Sequence, residues 1–242
     1  MANLTTTPVR RFSKLISTAA ITGALFAPSF AHAALLDFET STLLFPLIGA
    51  DQVVEFGEFY VKAFGDQGAE PTDLVGALAT IDDCFDVQCP GNNNTSFYTS
   101  LNDGYFAFGR NNNATFKLNG FKASFVGAGM ASYPNTAGVL VLQGFDARNR
   151  MVGASQQFGL RGPTNNVFNF ANFTAGAFGK NTVASIRVRG FACDISGSCN
   201  RVNNQANFAI DDIVTTTVPE PGSWALMGLA LAGLGAFSRR RA

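Results

Sequence analysis

The sequence predicts an all-β protein: an antiparallel jelly-roll-like β-sandwich, flanked by an N-terminal signal peptide and a short C-terminal transmembrane helix. Three observations predict it. Between its two ends the chain alternates apolar and polar residues with period two in segment after segment. Its 24 Phe supply the bulk that the inner faces of two sheets need. Clusters of Asn and Gly separate the alternating segments, and neither residue favours a strand interior. With 47% hydrophobic residues the 242-residue chain has ample material for a core, and a chain this apolar offsets its ordering entropy by burial. Charged residues make up only 14%, with 17 basic and 17 acidic side chains, which excludes a basic nucleic-acid binder.

Residues 1–33 read as a secretory signal. Arg10, Arg11 and Lys14 form a positive start, 15–27 is apolar, and Ala31-His32-Ala33 is a small-x-small site for signal peptidase. The apolar run is shorter than the ~20 residues of a membrane span. Cleavage after Ala33 leaves Ala34 as the new N-terminus.

Strands are expected over 35–39, 53–64, 105–108, 114–125, 139–145, 151–158, 167–173, 182–190 and 208–216. In 114–125, Phe116 and Leu118, then Phe121, Ala123 and Phe125, alternate about the turn-prone pair Asn119-Gly120. Residues 146–150 join two alternating runs as a hairpin. No stretch has a capped, 3.6-period helix; 71–79 is expected to make a helical turn or two at most. The Asn runs at 92–94, 111–113, 165–166 and 203–204 belong in loops. Nine or more short strands indicate a sandwich.

The four cysteines, Cys84, Cys89, Cys193 and Cys199, lie in exported sequence, where disulfides persist. Of the three possible connectivities, the two short-range pairs, Cys84 with Cys89 and Cys193 with Cys199, are the simplest. Each closes a small loop and contributes roughly 2 kcal/mol. C-x4-C and C-x5-C without His match neither zinc nor thioredoxin spacing.

The end of the chain has three parts. Pro219, Glu220 and Pro221 stop any strand. An uncharged run over 224–237 follows, beginning at Trp224, ending at Phe237 and carrying three glycines, as membrane helices often do. Arg239, Arg240 and Arg241 then stay cytoplasmic by the positive-inside rule, which places 34–218 outside. Fourteen residues suit a transient anchor better than a permanent span. This order closely resembles the PEP-CTERM sorting domain. The resemblance covers about the last 24 residues and implies recognition by an exosortase in a Gram-negative, exopolysaccharide-making bacterium. It assigns Pro219, Glu220 and Pro221 as the sorting motif, the run from Trp224 to Phe237 as the anchor, and Arg239, Arg240 and Arg241 as the retention charge. The domains are then 1–33, 34–218 and 219–242.

The middle segment, 34–218, has 11 basic and 16 acidic side chains, and neither His nor Trp, because His32 and Trp224 lie in the ends. A mildly acidic domain does not seek nucleic acid or anionic lipid. Without an imidazole, Ser-His-Asp and Cys-His catalysis and most zinc sites are excluded. No G-x-S-x-G, P-loop or G-x-G-x-x-G occurs. The expectation is a protein with no enzyme activity of its own, although a two-carboxylate glycosidase stays open in principle.

The opening Leu35-Leu36-Asp37-Phe38-Glu39, the strand Ser185-Ile186-Arg187-Val188-Arg189-Gly190 and the closing Phe208-Ala209-Ile210-Asp211-Asp212-Ile213 resemble jelly-roll domains of exported bacterial proteins, carbohydrate-binding modules among them. The closing motif is also similar to a PEP-CTERM subgroup. First and last strands are neighbours in such folds, which brings Asp37 and Glu39 near Asp211 and Asp212. Two readings stay open: a structural Ca²⁺ site, since calcium takes six to eight oxygens, or solvated acids that discourage edge pairing. Asp82, Asp83 and Asp86 read as a solvated loop.

Three functions compete: an exported, non-catalytic cell-surface or matrix protein associated with exopolysaccharide; a carbohydrate-binding module, with Tyr60, Tyr98, Tyr105 and Tyr133 as its tyrosine platforms; and a β-sandwich polysaccharide hydrolase. The triplets at Asn93, Asn94, Asn113 and Asn172 have the spacing of glycan acceptors, which an Asn-rich chain also produces by chance.

Overall fold

Period-two alternation becomes strand pairing through most of the segment between the two ends. The computed structural model describes residues 32–218, apart from 42, 44, 84–86, 130–131 and 200–205, together with Gly228. In chain order the strands are β1 (Ala33–Leu36), β2 (Leu47–Gly49), β3 (Val53–Phe56), β4 (Phe59–Phe64) and β5 (Leu74–Ala79). Next come β6 (Pro90–Gly91), β7 (Phe97–Ser100), β8 (Tyr105–Arg110), β9 (Phe116–Phe125) and β10 (Thr136–Phe145). Last are β11 (Met151–Arg161), β12 (Phe168–Asn169), β13 (Ala171–Thr174), β14 (Ser185–Ala192) and β15 (Phe208–Thr217).

They form two antiparallel sheets, the jelly-roll-like sandwich the sequence predicts. One sheet runs β13-β9-β15-β7-β5-β2, with β1 added on β15; the other runs β11-β10-β14-β8-β4-β3. The chain crosses between sheets at β2–β3, β4–β5, β7–β8, β8–β9, β9–β10, β13–β14 and β14–β15, and from β11 to β13 by way of β12. A short parallel pair, β6 with β12, lies outside both sheets.

Phenylalanine fills the space between. Phe106 and Phe108 of β8 meet Phe208 of β15 and Phe116 of β9 across the sandwich, with ring centroids 6.0 and 5.8 Å apart. Phe38, Phe59 and Tyr98 are fully buried with them, while Phe97 is buried in a separate cluster against Phe170, and each contributes roughly 2–3 kcal/mol of burial. Asn92, Asn113, Asn165 and Asn166 have positive φ, so the Asn runs serve as turns wherever they are described; 203–204 lies outside the described residues.

Several expectations are corrected. Residues 74–79 form strand β5 rather than a helical turn, because β2 and β7 flank them and tertiary pairing overrides the weak local preference. The run 53–64 is a hairpin, β3–β4, turned at Gly57 with φ +57°. Asn119-Gly120 does not turn: β9 continues through it. A Cβ at Gly120 would sit 2.6 Å from the Phe173 carbonyl, so glycine there admits the neighbouring strand. The first strand ends at Leu36, since Phe38 takes φ +59°, and 167–173 divides into β12 and β13. Strands β2 and β7 were not anticipated.

Ala31–Val218 is one compact unit, and Met1–Phe30 with Pro219–Ala242 fall outside it. The sorting motif Pro219, Glu220 and Pro221, the anchor ends Trp224 and Phe237, the arginines 239–241, Ala31, Cys84 and Asp86 lie outside the described residues.

Tyr98 gives the sharpest test of this packing. Its ring lies across Gly76, where a Cβ would come within 2.5 Å of the hydroxyl oxygen, and that buried hydroxyl has no hydrogen-bond partner among the described residues. Gly76→Ala should lower stability by about 1–3 kcal/mol through overpacking. Tyr98→Phe should leave it unchanged or raise it slightly, since it removes an unsatisfied buried group. Denaturant unfolding midpoints of the two variants check both.

Candidate functional site

The pairing of first and last strands holds: β1 runs antiparallel to β15, with Leu36 opposite Ile213 and Ala33 opposite Thr216. On the same side of β15, strand β7 pairs with Ala209 and Ile210. Strands β7 and β1 therefore meet end to end against one long strand, and the joint falls at Asp211 and Asp212. The backbone records it: Asp212 takes φ +47°, and the register with β9 shifts between Asp211 and Val214.

At this joint Asp211 is completely buried. Its Oδ2 accepts hydrogen bonds from Asn93 Nδ2 at 2.9 Å and from the Thr95 hydroxyl at 3.1 Å, and its Oδ1 from the Asp212 N–H at 2.7 Å. Thr95 Oγ lies 2.8 Å from Asn93 Oδ1, so one hydroxyl rotor can satisfy the group in either protonation state. Burial pushes the Asp211 carboxyl up to about 6, against the pull of Asn93 and the Asp212 N–H. The Glu39 carboxylate accepts the Ser96 N–H at 2.7 Å, and Asp37 accepts the Glu39 N–H at 3.2 Å.

The four acids flank one joint, yet they do not fit a calcium ion. Asp212 is held by the Lys122 ammonium at 2.6 Å, so a cation of the protein already occupies the place a metal would take. Asp211 turns its oxygens to Asn93, Thr95 and a backbone N–H. Among the described residues no three His, Cys, Asp or Glu side chains converge to hold a metal ion. Asn93 is 4% exposed with its amide on Asp211, so its triplet serves packing. Sequence reasoning missed Asn93, Thr95 and Lys122 as partners, because their proximity depends on register.

The disulfide Cys193–Cys199 forms, as its spacing predicts. Its loop is ordered by Asp194, whose Oδ1 accepts the Ser196 hydroxyl and the Ser196 and Ser198 N–H groups, bonds that hold its carboxyl below the usual range. The bridge packs on Val139 and Phe191, apolar residues of neighbouring strands β10 and β14. Cys89 is disulfide-bonded; its expected partner lies outside the described residues. Of the tyrosines, Tyr98 is core, while Tyr60, Tyr105 and Tyr133 are half-buried. Asp82 and Asp83 are exposed.

Two depressions are lined by described residues. One, about 500 Å³, lies over β1, β15, β9 and β13, with the Lys122–Asp212 pair among its walls. The other, about 430 Å³, is lined by Tyr60, Ser185, Asn113, Asn149 and Asp146. Asp146 is committed to its turn: it accepts the Arg150 and Arg148 N–H groups and pairs with the Arg150 guanidinium, which holds its carboxyl low. Neither depression is lined by two carboxylates.

Asp211 sets a pH dependence whose sign is fixed. Its folded-state value of about 6 lies above the unfolded 3.8, so its contribution is fully present below about pH 4 and is lost as pH rises through 6. The stability of the wild type relative to Asp211→Asn should fall by roughly 3 kcal/mol between pH 4 and pH 7. Chemical denaturation at both pH values measures it, and a difference that grows with pH would contradict the assignment. Asp211→Ala should cost roughly 2–3 kcal/mol below about pH 4 by orphaning Asn93 and the Asp212 N–H, a cost that shrinks as pH rises through 6 and the wild type itself loses stability. Added calcium or a chelator should leave the melting temperature unmoved; a rise of several degrees with calcium would restore a cation to the joint.

No curated protein matches the chain. Solved structures resemble it weakly. A DUF4465 family protein from Bacteroides caccae is 11% identical, covering 77% of this chain and 100% of its own, with a TM-score of 0.48. A DUF4465 family protein from Bacteroides ovatus is 12% identical over 77% of this chain and 99% of its own, at a TM-score of 0.43. The enzymatically active domain of the bacteriophage CBA120 tailspike protein 4 is 13% identical over 67% of this chain and 20% of that one, at 0.31. Residues 217–241, beginning on the last residue of β15, match the PEP-CTERM protein-sorting motif. The chain therefore carries at 217–241 a PEP-CTERM protein-sorting motif, the kind of signal that marks an exported, exosortase-sorted protein.

Proposed function

We propose that the chain is non-catalytic cargo of an exosortase-type system. Signal peptidase cuts after Ala33, the 224–237 segment holds the precursor in the inner membrane of a Gram-negative bacterium, and processing near Pro219, Glu220 and Pro221 delivers the sandwich to the cell surface or extracellular matrix. There it associates with exopolysaccharide. The observation that carries this reading is the sorting motif at 217–241.

Two further features support it. The proposed cut leaves Ala34, itself buried, paired with Thr215, and keeps Leu35 and Leu36 on β15, so removing the signal spares most of β1. The mature segment offers no imidazole, and the two depressions described above offer no carboxylate pair for general acid–base work. The polysaccharide hydrolase reading draws no support from either. Carbohydrate binding remains the second reading, favoured by the half-buried aromatic side chains on the six-stranded sheet.

Intact mass of the protein recovered from the producing cells' envelope and medium, with and without reduction, tests the proposal. The expected species starts at Ala34, ends near 219–223 and gains four protons on reduction of two disulfides. Alanine at Pro219, Glu220 and Pro221 together should leave the uncut tail in the inner membrane. A wild-type protein that keeps its full tail there would withdraw the exosortase reading.

A further inference from the structure

The outer face of the six-stranded sheet carries a pair of arginines with no counter-ion among the described residues. Arg187 and Arg189 alternate on β14, near the middle of that sheet, and β8 and β10 flank them. Four other cations of the domain are spent in ion pairs: Lys62 with Asp51, Arg110 with Glu58, Lys122 with Asp212, Arg150 with Asp146. Arg187 and Arg189 pair with no carboxylate among the described residues.

Aromatic rings hold them instead. The Arg189 guanidinium lies 4.2 Å from the Tyr105 ring centre, and that of Arg187 lies 4.8 Å from Phe145 and 5.8 Å from Phe64. Tyr105 in turn stacks on Phe64 at 5.0 Å, nearly parallel. Both Nε groups are buried and hydrogen-bond to nothing. The arrangement desolvates one edge of each guanidinium and fixes its plane, while no Nη atom has an acceptor among the described residues. Two planar forks on alternate residues of one strand, half-buried and unpaired, are set for carboxylates. The rings beside them and the Gln143 amide, which faces Arg187 in the register, suit sugar faces and hydroxyls.

We infer that this face binds an acidic polysaccharide, one whose sugars carry carboxylates, through bidentate contacts from Arg187 and Arg189 on the Tyr105–Phe64 platform. The inference rests on the exopolysaccharide reading above and gives it a ligand class and a site. Charge complementarity selects the occupant: the domain as a whole is acidic, with 11 basic and 16 acidic side chains over 34–218, so a polyanion is repelled over most of it, and here two unpaired guanidiniums stand two residues apart on one strand over aromatic rings.

The processed protein, first shown by its mass to be cut at both ends, is titrated with sodium alginate and with neutral dextran. Alginate should bind in a salt-dependent way and dextran at least tenfold more weakly. Arg187→Gln with Arg189→Gln should weaken alginate binding at least tenfold with the melting temperature within a few degrees of wild type. Arg148→Gln, which removes a charge from the 146–150 turn, should leave it unchanged. Because the double variant also removes packing from the rings, phenylglyoxal labelling of the wild type gives a second reading: alginate should protect Arg187 and Arg189 and leave Arg148 reactive. Equal binding of dextran, equal affinity for duplex DNA or anionic vesicles, equal loss in Arg148→Gln, or unprotected Arg187 and Arg189 would each overturn the site. A correctly processed protein that fails these tests leaves the sorting proposal standing, whereas an unprocessed one removes it whatever alginate does.

Discussion

Strand β15 has to be satisfied along ten residues by partners that do not all reach. On one side β9 runs its whole length. On the other, β7 covers the start and β1 the end, and neither extends across Asp211 and Asp212. A joint of this kind leaves backbone and side-chain polar groups out of water with no ladder to pair them, at a cost comparable to a lost hydrogen bond for each. The Asp211 carboxylate resolves it by accepting from the loop that leads into β7 and from the next residue's own N–H. Most of the buried polar residues lie on this strand or beside it: Asn93, Thr99, Ser100, Asp211 and Thr215. Ser100 Oγ receives the Phe208 N–H at 2.8 Å, continuing the polar line into β7.

That concentration is what lets the rest of the interior be apolar. The rings of Phe38, Phe106, Phe108, Phe116 and Phe208 meet without a hydrogen bond to satisfy, and small residues admit them: Gly76 under Tyr98, and Gly138 against Phe125. The six-stranded sheet also carries large side chains on its outer face. The Cys193–Cys199 loop covers Phe191 and Val139 there, and Arg187 and Arg189 lie over Phe64, Tyr105 and Phe145. A disulfide and two guanidiniums thus share the work of covering apolar surface, and only the guanidiniums leave unspent charge behind.

The parts of this arrangement legible in the sequence are those that depend on neighbouring residues. Alternation located β8, β14 and the β10–β11 hairpin, because a side chain's face is set two residues away. The Asn runs marked turns, since Asn enters positive φ cheaply. The pairing of β1 with β15 followed from the motifs at each end of the domain. Strand β5 was missed because its Gly and Ala carry little strand preference and its neighbours supply the order. The meaning of the paired acids was missed for a different reason. Two aspartates beside an acidic first strand point to a cation, and only the register shows that the cation is the Lys122 ammonium. The S-I-R-V-R-G strand displayed its arginines plainly, but Tyr105, Phe64 and Phe145 reach them from three other strands.

The same strand joins the fold to its export. His32 and Thr217 exchange backbone and hydroxyl hydrogen bonds, so both ends of the described domain leave from one corner of one sheet. On the proposed cleavage after Ala33, the bonds to His32 and the pairing of Ala33 with Thr216 are removed. Thr215 keeps Ala34, with its hydroxyl 3.4 Å from the Ala34 carbonyl. Thr216, Thr217 and Val218 then retain partners on the β9 side alone, through Lys117, Phe116 and the Thr115 carbonyl. A strand end paired on one side opens more readily than one paired on both, and this end runs directly into Pro219. On that proposal, loss of the signal leaves 216–218 paired on one side, while the burial of Ala34, Leu36 and Ile213 holds the rest of the β1–β15 pairing up to the joint at Asp211.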